Sequence, residues 1–270
     1  MRRLEGTGKG RGMLFVLTGG IQTGKTRWLG RLVEGLEADG VRCAGVVAPG
    51  VWRERRRGAE LSAGELAVGS RAESEYEKLG IDNVLLPGGE RVPFARRVDL
   101  ACQAGAYDSR SQSARAGLGW AIDDAAIARV NDHFRELAAE AETEIEAAEA
   151  GAANLAGDPA FGLGSVEPAG ASVSGVGSVD PSPADACQHA ASLLIVDELG
   201  RLELMRGEGL VEAMELLDRG PTRAFPHALV VVREDLLPLA HERLAPVWGD
   251  AVPIHPDEEG AARVRAALRM

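Results

Sequence analysis

The sequence predicts an α/β fold in which helices cover a mostly parallel sheet, and two stretches carry that expectation. Residues 13–18 (MLFVLT) form a short apolar run of buried-strand length, followed by a Gly-rich loop at 19–24. Residues 25–38 then place Trp28, Leu29, Leu32, Val33 and Leu36 at helical spacing, and 41–48 form a second apolar run. Strand, loop, helix and strand in close succession make a βαβ unit, whose two strands must be parallel. The same alternation returns after residue 190, with apolar runs at 193–196, 228–232 and 252–254, each followed by a helical pattern.

The individual elements follow in order. Residues 1–12, Gly- and Arg-rich without an apolar pattern, read as a flexible tail. Asp39 and Gly40 end the first helix. Pro49 and Gly50 end the second strand, and 51–58 read as a charged loop. Residues 66–93 read as short hairpin strands around the Pro87-Gly88-Gly89 turn. Residues 121–150 read as a helix, amphipathic in its first half through Ile122, Ala126, Ile127, Val130, Phe134 and Leu137 and Ala/Glu-rich in its second. Residues 151–190 are Gly, Ala, Ser, Pro and Val without periodicity, which predicts disorder. Helices are expected near 210–217, 236–244 and 259–268. One discontinuous domain, 13–137 plus 191–270, is therefore expected, interrupted by a low-complexity acidic insertion at 138–190.

Composition narrows the function classes. The chain has 270 residues, is 45% hydrophobic and carries a formal charge of −11. Between Ala138 and Ser192 it has no Lys or Arg, while Glu140, Glu142, Glu144, Glu146, Glu149, Asp158, Glu167, Asp180 and Asp185 account for most of the net charge. No basic face is visible, which argues against DNA or RNA as a partner. No apolar run approaches the roughly 18 residues needed to cross a bilayer, and no apolar leader is visible, so neither a membrane span nor a secretory signal is expected. Three scattered cysteines, Cys43, Cys102 and Cys187, fit neither a disulfide framework nor a metal pattern, and a reducing cytoplasm is the natural compartment. Of the 30 basic residues only Lys9, Lys25 and Lys78 are lysines. A lysine kept in such an Arg-rich chain marks a place where a guanidinium does not substitute.

The segment Gly19-Gly20-Ile21-Gln22-Thr23-Gly24-Lys25-Thr26 satisfies GxxxxGK[ST] at every fixed position, between a strand pattern and a helix pattern. With this composition, about 0.003 chance matches are expected along the chain. Glycines let backbone N–H groups turn inward around phosphate oxygens, and the helix start adds its positive end. Lys25 is then expected at the β- and γ-phosphates and the Thr26 hydroxyl on Mg²⁺. Such a loop needs an acidic partner beyond a neighbouring strand, and Leu193-Leu194-Ile195-Val196-Asp197-Glu198 supplies it. Asp197 is expected in the metal shell. Glu198 is placed to polarise a water aimed at the γ-phosphate.

The run Asp197-Glu198-Leu199-Gly200-Arg201-Leu202-Glu203-Leu204 resembles the DE-x-G-x-x-E-L signature of the small P-loop nucleoside-triphosphatases, found in thermophilic archaea and bacteria with a cancer-related relative in vertebrates. The loop, the Gly45-Val46-Val47-x-Pro49 strand end and the Arg-rich segment after it fall in that family's order. Arg56-Arg57-Gly58-Ala59 corresponds loosely to its Arg-x-Gly-Phe element. The resemblance implies a three-layer α/β sandwich of the RecA-like kind. It also implies Mg²⁺-dependent hydrolysis of ATP, GTP and other nucleoside triphosphates to the diphosphate and phosphate.

Secondary candidates are the Arg53, Arg55, Arg56 and Arg57 cluster, an arginine finger through Arg53 or Arg57 or else a solvated basic loop, and Arg233, either a γ-phosphate sensor or a surface arginine beginning a turn. Trp52 is a candidate for stacking on a base, against plain packing. The five histidines share no ligand spacing and are expected at the surface or in packing. Two other classes remain open on sequence: a phosphotransferase closing its 50–60 loop over a second substrate, and a slow nucleotide-dependent switch.

Overall fold

In the computed structural model the described residues are 12–20, 23–54, 76–156 and 191–268, with side chains considered outside 144–156. Residues 1–11 of the expected tail 1–12, residues 157–190 of the stretch 151–190 expected to be disordered, and Ile21, Gln22, Arg55, Arg56 and Arg57 lie outside the described residues.

The elements are β1 (Met13–Leu17), α1 (Lys25–Ala38), β2 (Arg42–Val47), β3 (Gly50–Glu54), β4 (Tyr76–Leu86) and β5 (Glu90–Arg97), followed by the short α2 (Val98–Gln103) and α3 (Gln112–Arg115). Next come β6 (Trp120–Ile122), α4 (Asp124–Ala156) and β7 (Ser192–Leu199), then a π-helical turn, Leu202–Arg206. The chain closes with α5 (Val211–Asp218), β8 (His227–Val232), α6 (Leu237–Trp248), β9 (Ala251–Ile254) and α7 (Glu258–Ala267). The sheet runs β6-β5-β4-β2-β7-β8-β1-β9, with β3 paired to β4. Strands β2, β7, β8, β1 and β9 are parallel neighbours, and β3 to β6 add an antiparallel extension beyond β2.

Three layers result, because successive side chains of each buried strand serve opposite faces. In β1, Leu14 and Val16 join the core under α4, α5 and α6, while Phe15 and Leu17 join the core under α1 and α7. Trp28, Leu29, Leu32, Val33 and Leu36 form the buried stripe of α1. That helix ends in a Schellman motif: Gly40, at φ 84°, donates to the Glu37 carbonyl and Val41 to that of Leu36.

The register aligns the strand ends. Val46, Val196, Val230 and Val16 lie in one row across β2, β7, β8 and β1. Thr18, Arg233, Asp197 and Ala48 therefore follow their strands at one carboxyl edge, where open α/β sheets bind ligands. β8 separates β1 from β7, so the strand leading into the 19–26 loop and the strand carrying Asp197 are not neighbours.

The structure corrects the expectations mainly in the antiparallel part. Residues 51–54, expected in a charged loop, are the greater part of β3, because pairing with β4 satisfies their backbone while the side chains stay in solvent. Ala121 and Ile122, expected in a helix, pair with Arg96 and Ala95 in β6, and the helix starts two residues later at Asp124. Helix α4 extends six residues past its expected end, to Ala156. Beyond Leu137, Ala141 still packs into the core, and Glu140 and Glu142 pair with Arg42 and Arg219. Among the described residues no helix is long and apolar enough to cross a membrane.

One contact tightens the junction of the two sheet halves. His133 of α4 donates from Nε2 toward the Gly45 carbonyl (3.2 Å) and the Leu86 carbonyl (3.0 Å), across the β2–β4 seam. Gly45 sits at φ 116°, and a Cβ there would stand 2.0 Å from the Ile195 carbonyl oxygen of β7. Gly45→Ala should therefore lower unfolding stability by roughly 3 kcal/mol or more in denaturant titrations, from strain and steric overlap together.

Candidate functional site

The site begins where β1 gives way to the 19–26 loop. Gly24, at φ 85°, is the N-cap of α1 and offers no side chain, so the first-turn amides of the helix face the loop rather than a capping group. Gly19 adopts φ 147°, which lets the chain leave the strand and fold over Lys25. Thr23 Oγ1 closes the loop by donating to the Gly20 carbonyl at 3.0 Å. Lys25 is buried and its Nζ donates to the carbonyls of Gly19 (2.6 Å) and Gly20 (2.7 Å). Among the described residues no carboxylate pairs with it. Its charge is held at the loop by carbonyl dipoles, ready for exchange against stronger oxygen acceptors.

Asp197 lies at the end of β7 and is only 2% exposed. Its Oδ2 accepts the Ala48 amide at 3.0 Å, and the Thr26 hydroxyl lies close enough to favour its charged form. Burial pushes its pKa up, against those two neighbours and the positive charges of Lys78 and Lys25. The next peptide, Asp197–Glu198, is cis. Glu198 turns the other way, with 42% of its side chain exposed at the edge of the site. Desolvation and the neighbouring Asp197 charge raise its pKa, opposed by Arg233, Lys25 and Lys78. Arg233 follows β8 and its Nε stands 3.6 Å from both Glu198 Oε1 and Asp235 Oδ1, buried and without a hydrogen-bond partner.

The expected residues therefore divide cleanly. Gly19, Gly20, Thr23, Gly24, Lys25, Thr26, Asp197, Glu198 and Arg233 lie together at one strand edge. Arg53 does not join them: its guanidinium is taken by Glu77 on the adjacent strand. Trp52 is 45% exposed and packs beside Lys78 rather than lying free. Among the described residues no cluster of three or more His, Cys, Asp or Glu is arranged for a metal. Thr26 and Asp197 instead offer two hard oxygen donors, the kind of partial set that suits a hydrated Mg²⁺ completed by phosphate oxygens.

Two contributors went unassigned in the sequence reading. Lys78 of β4 lies within Coulombic reach of Asp197 and Glu198. Glu203, in the π-helical turn after β7, is buried, with Oε2 accepting the Gly200 amide (2.8 Å) and Oε1 the Leu210 amide (3.0 Å). It thus clamps both ends of the turn that follows Glu198. The rarity of lysine was the available signal for the first; the second stands in the DE-x-G-x-x-E-L signature, which by itself gives it no role.

Glu203→Ala should cost about 2–4 kcal/mol in denaturant unfolding, because two buried amides lose their acceptor. Burial raises the Glu203 pKa, so the protonated carboxyl is the better tolerated form in the fold. Its stabilising contribution is then complete at pH below the ordinary Glu range and declines as pH rises through the raised folded value. The stability advantage of the wild-type chain over Glu203→Gln should accordingly shrink as pH rises above the ordinary Glu range.

No protein-family model matches the chain, and no curated protein matches it. Among solved structures it is similar to the solution structure of a human cancer-related nucleoside triphosphatase, with 16% sequence identity, 95% of each chain covered and a TM-score of 0.44.

Proposed function

We propose that the protein is a Mg²⁺-dependent nucleoside triphosphatase that converts a nucleoside triphosphate and water into the diphosphate and phosphate. The observation that carries this reading is the placing of Lys25, folded under the 19–26 loop by the Gly19 and Gly20 carbonyls, at the same edge as the buried Asp197, with Glu198 one residue further on and facing Arg233. A loop and helix start built for phosphates, an acid fixed beside it, and a second acid directed elsewhere are the parts needed for hydrolysis rather than for binding alone.

The chain's own groups divide the work. Amides of the loop and of the first turn of α1 receive the phosphate oxygens. Lys25 exchanges its two carbonyl acceptors for oxygens of the β- and γ-phosphates. Thr26 and Asp197 are the protein oxygens that hold Mg²⁺, which when bound offsets phosphate charge and orients the β–γ bridge. Glu198 accepts a proton from the water that attacks the γ-phosphorus, and the bond to the bridging oxygen breaks toward the diphosphate. Arg233 pairs with Glu198 and stands where a free Nε can meet the departing phosphate. Residues 21 and 22 complete the loop in this reading, and Arg57 remains a candidate contact from outside the described residues.

Phosphate release from a panel of triphosphates, without any acceptor and with or without Mg²⁺, tests the proposal. Metal-dependent release from several bases supports it; release that appears only when a second substrate is supplied favours a phosphotransferase. Lys25→Ala should lower turnover by on the order of 10³-fold. Glu198→Gln should lower kcat by about 10²- to 10⁴-fold while leaving nucleotide affinity within a few-fold of wild type.

A further inference from the structure

The antiparallel extension brings an unassigned cation to the same edge. β3 pairs with β4 so that Trp52 stands opposite Lys78, and β6 pairs with β5 so that Trp120 stands opposite Arg97. Lys78 Nζ lies between the two indoles, 5.9 Å from the Trp52 ring centroid and 5.3 Å from that of Trp120. Its stem passes over Gly50, where a Cβ would come within 2.9 Å of Lys78 Cε and 2.6 Å of Trp52 Nε1. Strand pairing and two aromatic walls thus fix a long, rotamer-rich side chain in one place.

That placement is unusual in what it leaves unpaired. Nearly every described arginine of β3 to β5 meets a carboxylate at close range: Arg53 with Glu77, Arg91 and Arg96 with Asp82, and Arg97 with Asp99. Lys78 has no carboxylate within ion-pair distance among the described residues. It rests on ring faces, an arrangement worth roughly 0.5–2 kcal/mol for an ammonium. Burial lowers its pKa, and the charges of Asp197 and Glu198 oppose that shift. An anion arriving between these groups would gain a desolvated, preformed positive charge.

We propose that Lys78 is a second catalytic cation, held by Trp52 and Trp120 so that its ammonium meets the terminal phosphoryl group and stabilises the negative charge that develops there during transfer. This inference rests on the nucleotide reading above. It assigns to a lysine on β4 the charge-neutralising part that Arg53, bound to Glu77, does not perform. The indoles explain the choice of residue: a compact ammonium fits between two ring faces and still projects its N–H groups, where a planar guanidinium would stack flat on one of them.

The test is Lys78→Met, which keeps an unbranched apolar stem between the indoles and removes the charge, with Lys78→Gln as a second variant. Two quantities are measured on each. The first is kcat and KM for phosphate release. The second is the affinity for a Mg²⁺–nucleoside diphosphate alone and with aluminium fluoride, which forms a planar mimic of the phosphoryl group in transfer. We expect kcat to fall by about 10²- to 10³-fold with KM changed less than about threefold. We also expect diphosphate affinity to be retained while the tightening by aluminium fluoride is lost. Wild-type kcat, a loss confined to KM, or undiminished tightening by aluminium fluoride in a folded variant would overturn the assignment. If the wild-type protein binds nucleotide but releases no phosphate without an acceptor, hydrolysis is wrong, and the aluminium fluoride measurement still decides the role of Lys78. If it binds no nucleotide, both readings fall together.

Discussion

The carboxylate of Asp197 is the constraint around which the site is organised. It is almost fully buried, and a buried carboxylate is costly unless its oxygens are engaged. Here three elements meet at the acid: the amide of Ala48 just after β2 donates to it, the hydroxyl of Thr26 in the first turn of α1 lies beside it, and β7 carries it. Satisfying one acid therefore fixes the end of β2, the start of α1 and the end of β7 relative to one another. The 19–26 loop inherits its position from the same link. Glu203 repeats the device on a smaller scale, tying Gly200 to Leu210 so that the chain beyond Glu198 does not drift.

Around that point the charges are arranged in opposition. Burial raises the pKa values of Asp197 and Glu198, while Lys25, Lys78 and Arg233 supply positive potential from three separate elements. Neighbouring acids in a desolvated setting repel each other, and Lys25 and Lys78, which meet no carboxylate at ion-pair distance among the described residues, attract an anion. A polyphosphate relieves the second imbalance, and a divalent ion relieves the first. The parallel half of the sheet provides the loop and the acids; the antiparallel half contributes Lys78 and its two tryptophans. The site on this account belongs to both halves, joined at the β2–β4 seam that His133 spans.

Much of this was legible in the sequence. The parallel strands announce themselves as uninterrupted apolar runs, since both faces are covered, and α1 matches its expected bounds because stripe, loop and Gly40 stop all agree. The antiparallel strands were harder. β3 reads Gly-Val-Trp-Arg-Glu with three exposed residues, so nothing in its pattern distinguishes a paired edge from a charged loop. β6 is three residues long and runs almost directly into α4, which disguised it as a helix start. Pairing partners, not local propensity, decide such segments. The acids and Lys25 could be placed from spacing alone. Lys78 could not, because its neighbours Trp52 and Trp120 are distant in sequence and meet only through strand pairing, although its being a lysine at all was a trace of its setting.

The central claim is that water, oriented by Glu198, attacks the γ-phosphorus of a nucleotide held between Lys25 and Asp197. Turnover in ¹⁸O-labelled water followed by mass analysis of the products tests it most directly. The account predicts one water-derived oxygen in each phosphate released and none in the diphosphate. Label in the diphosphate, or phosphate formed without solvent oxygen, would contradict it.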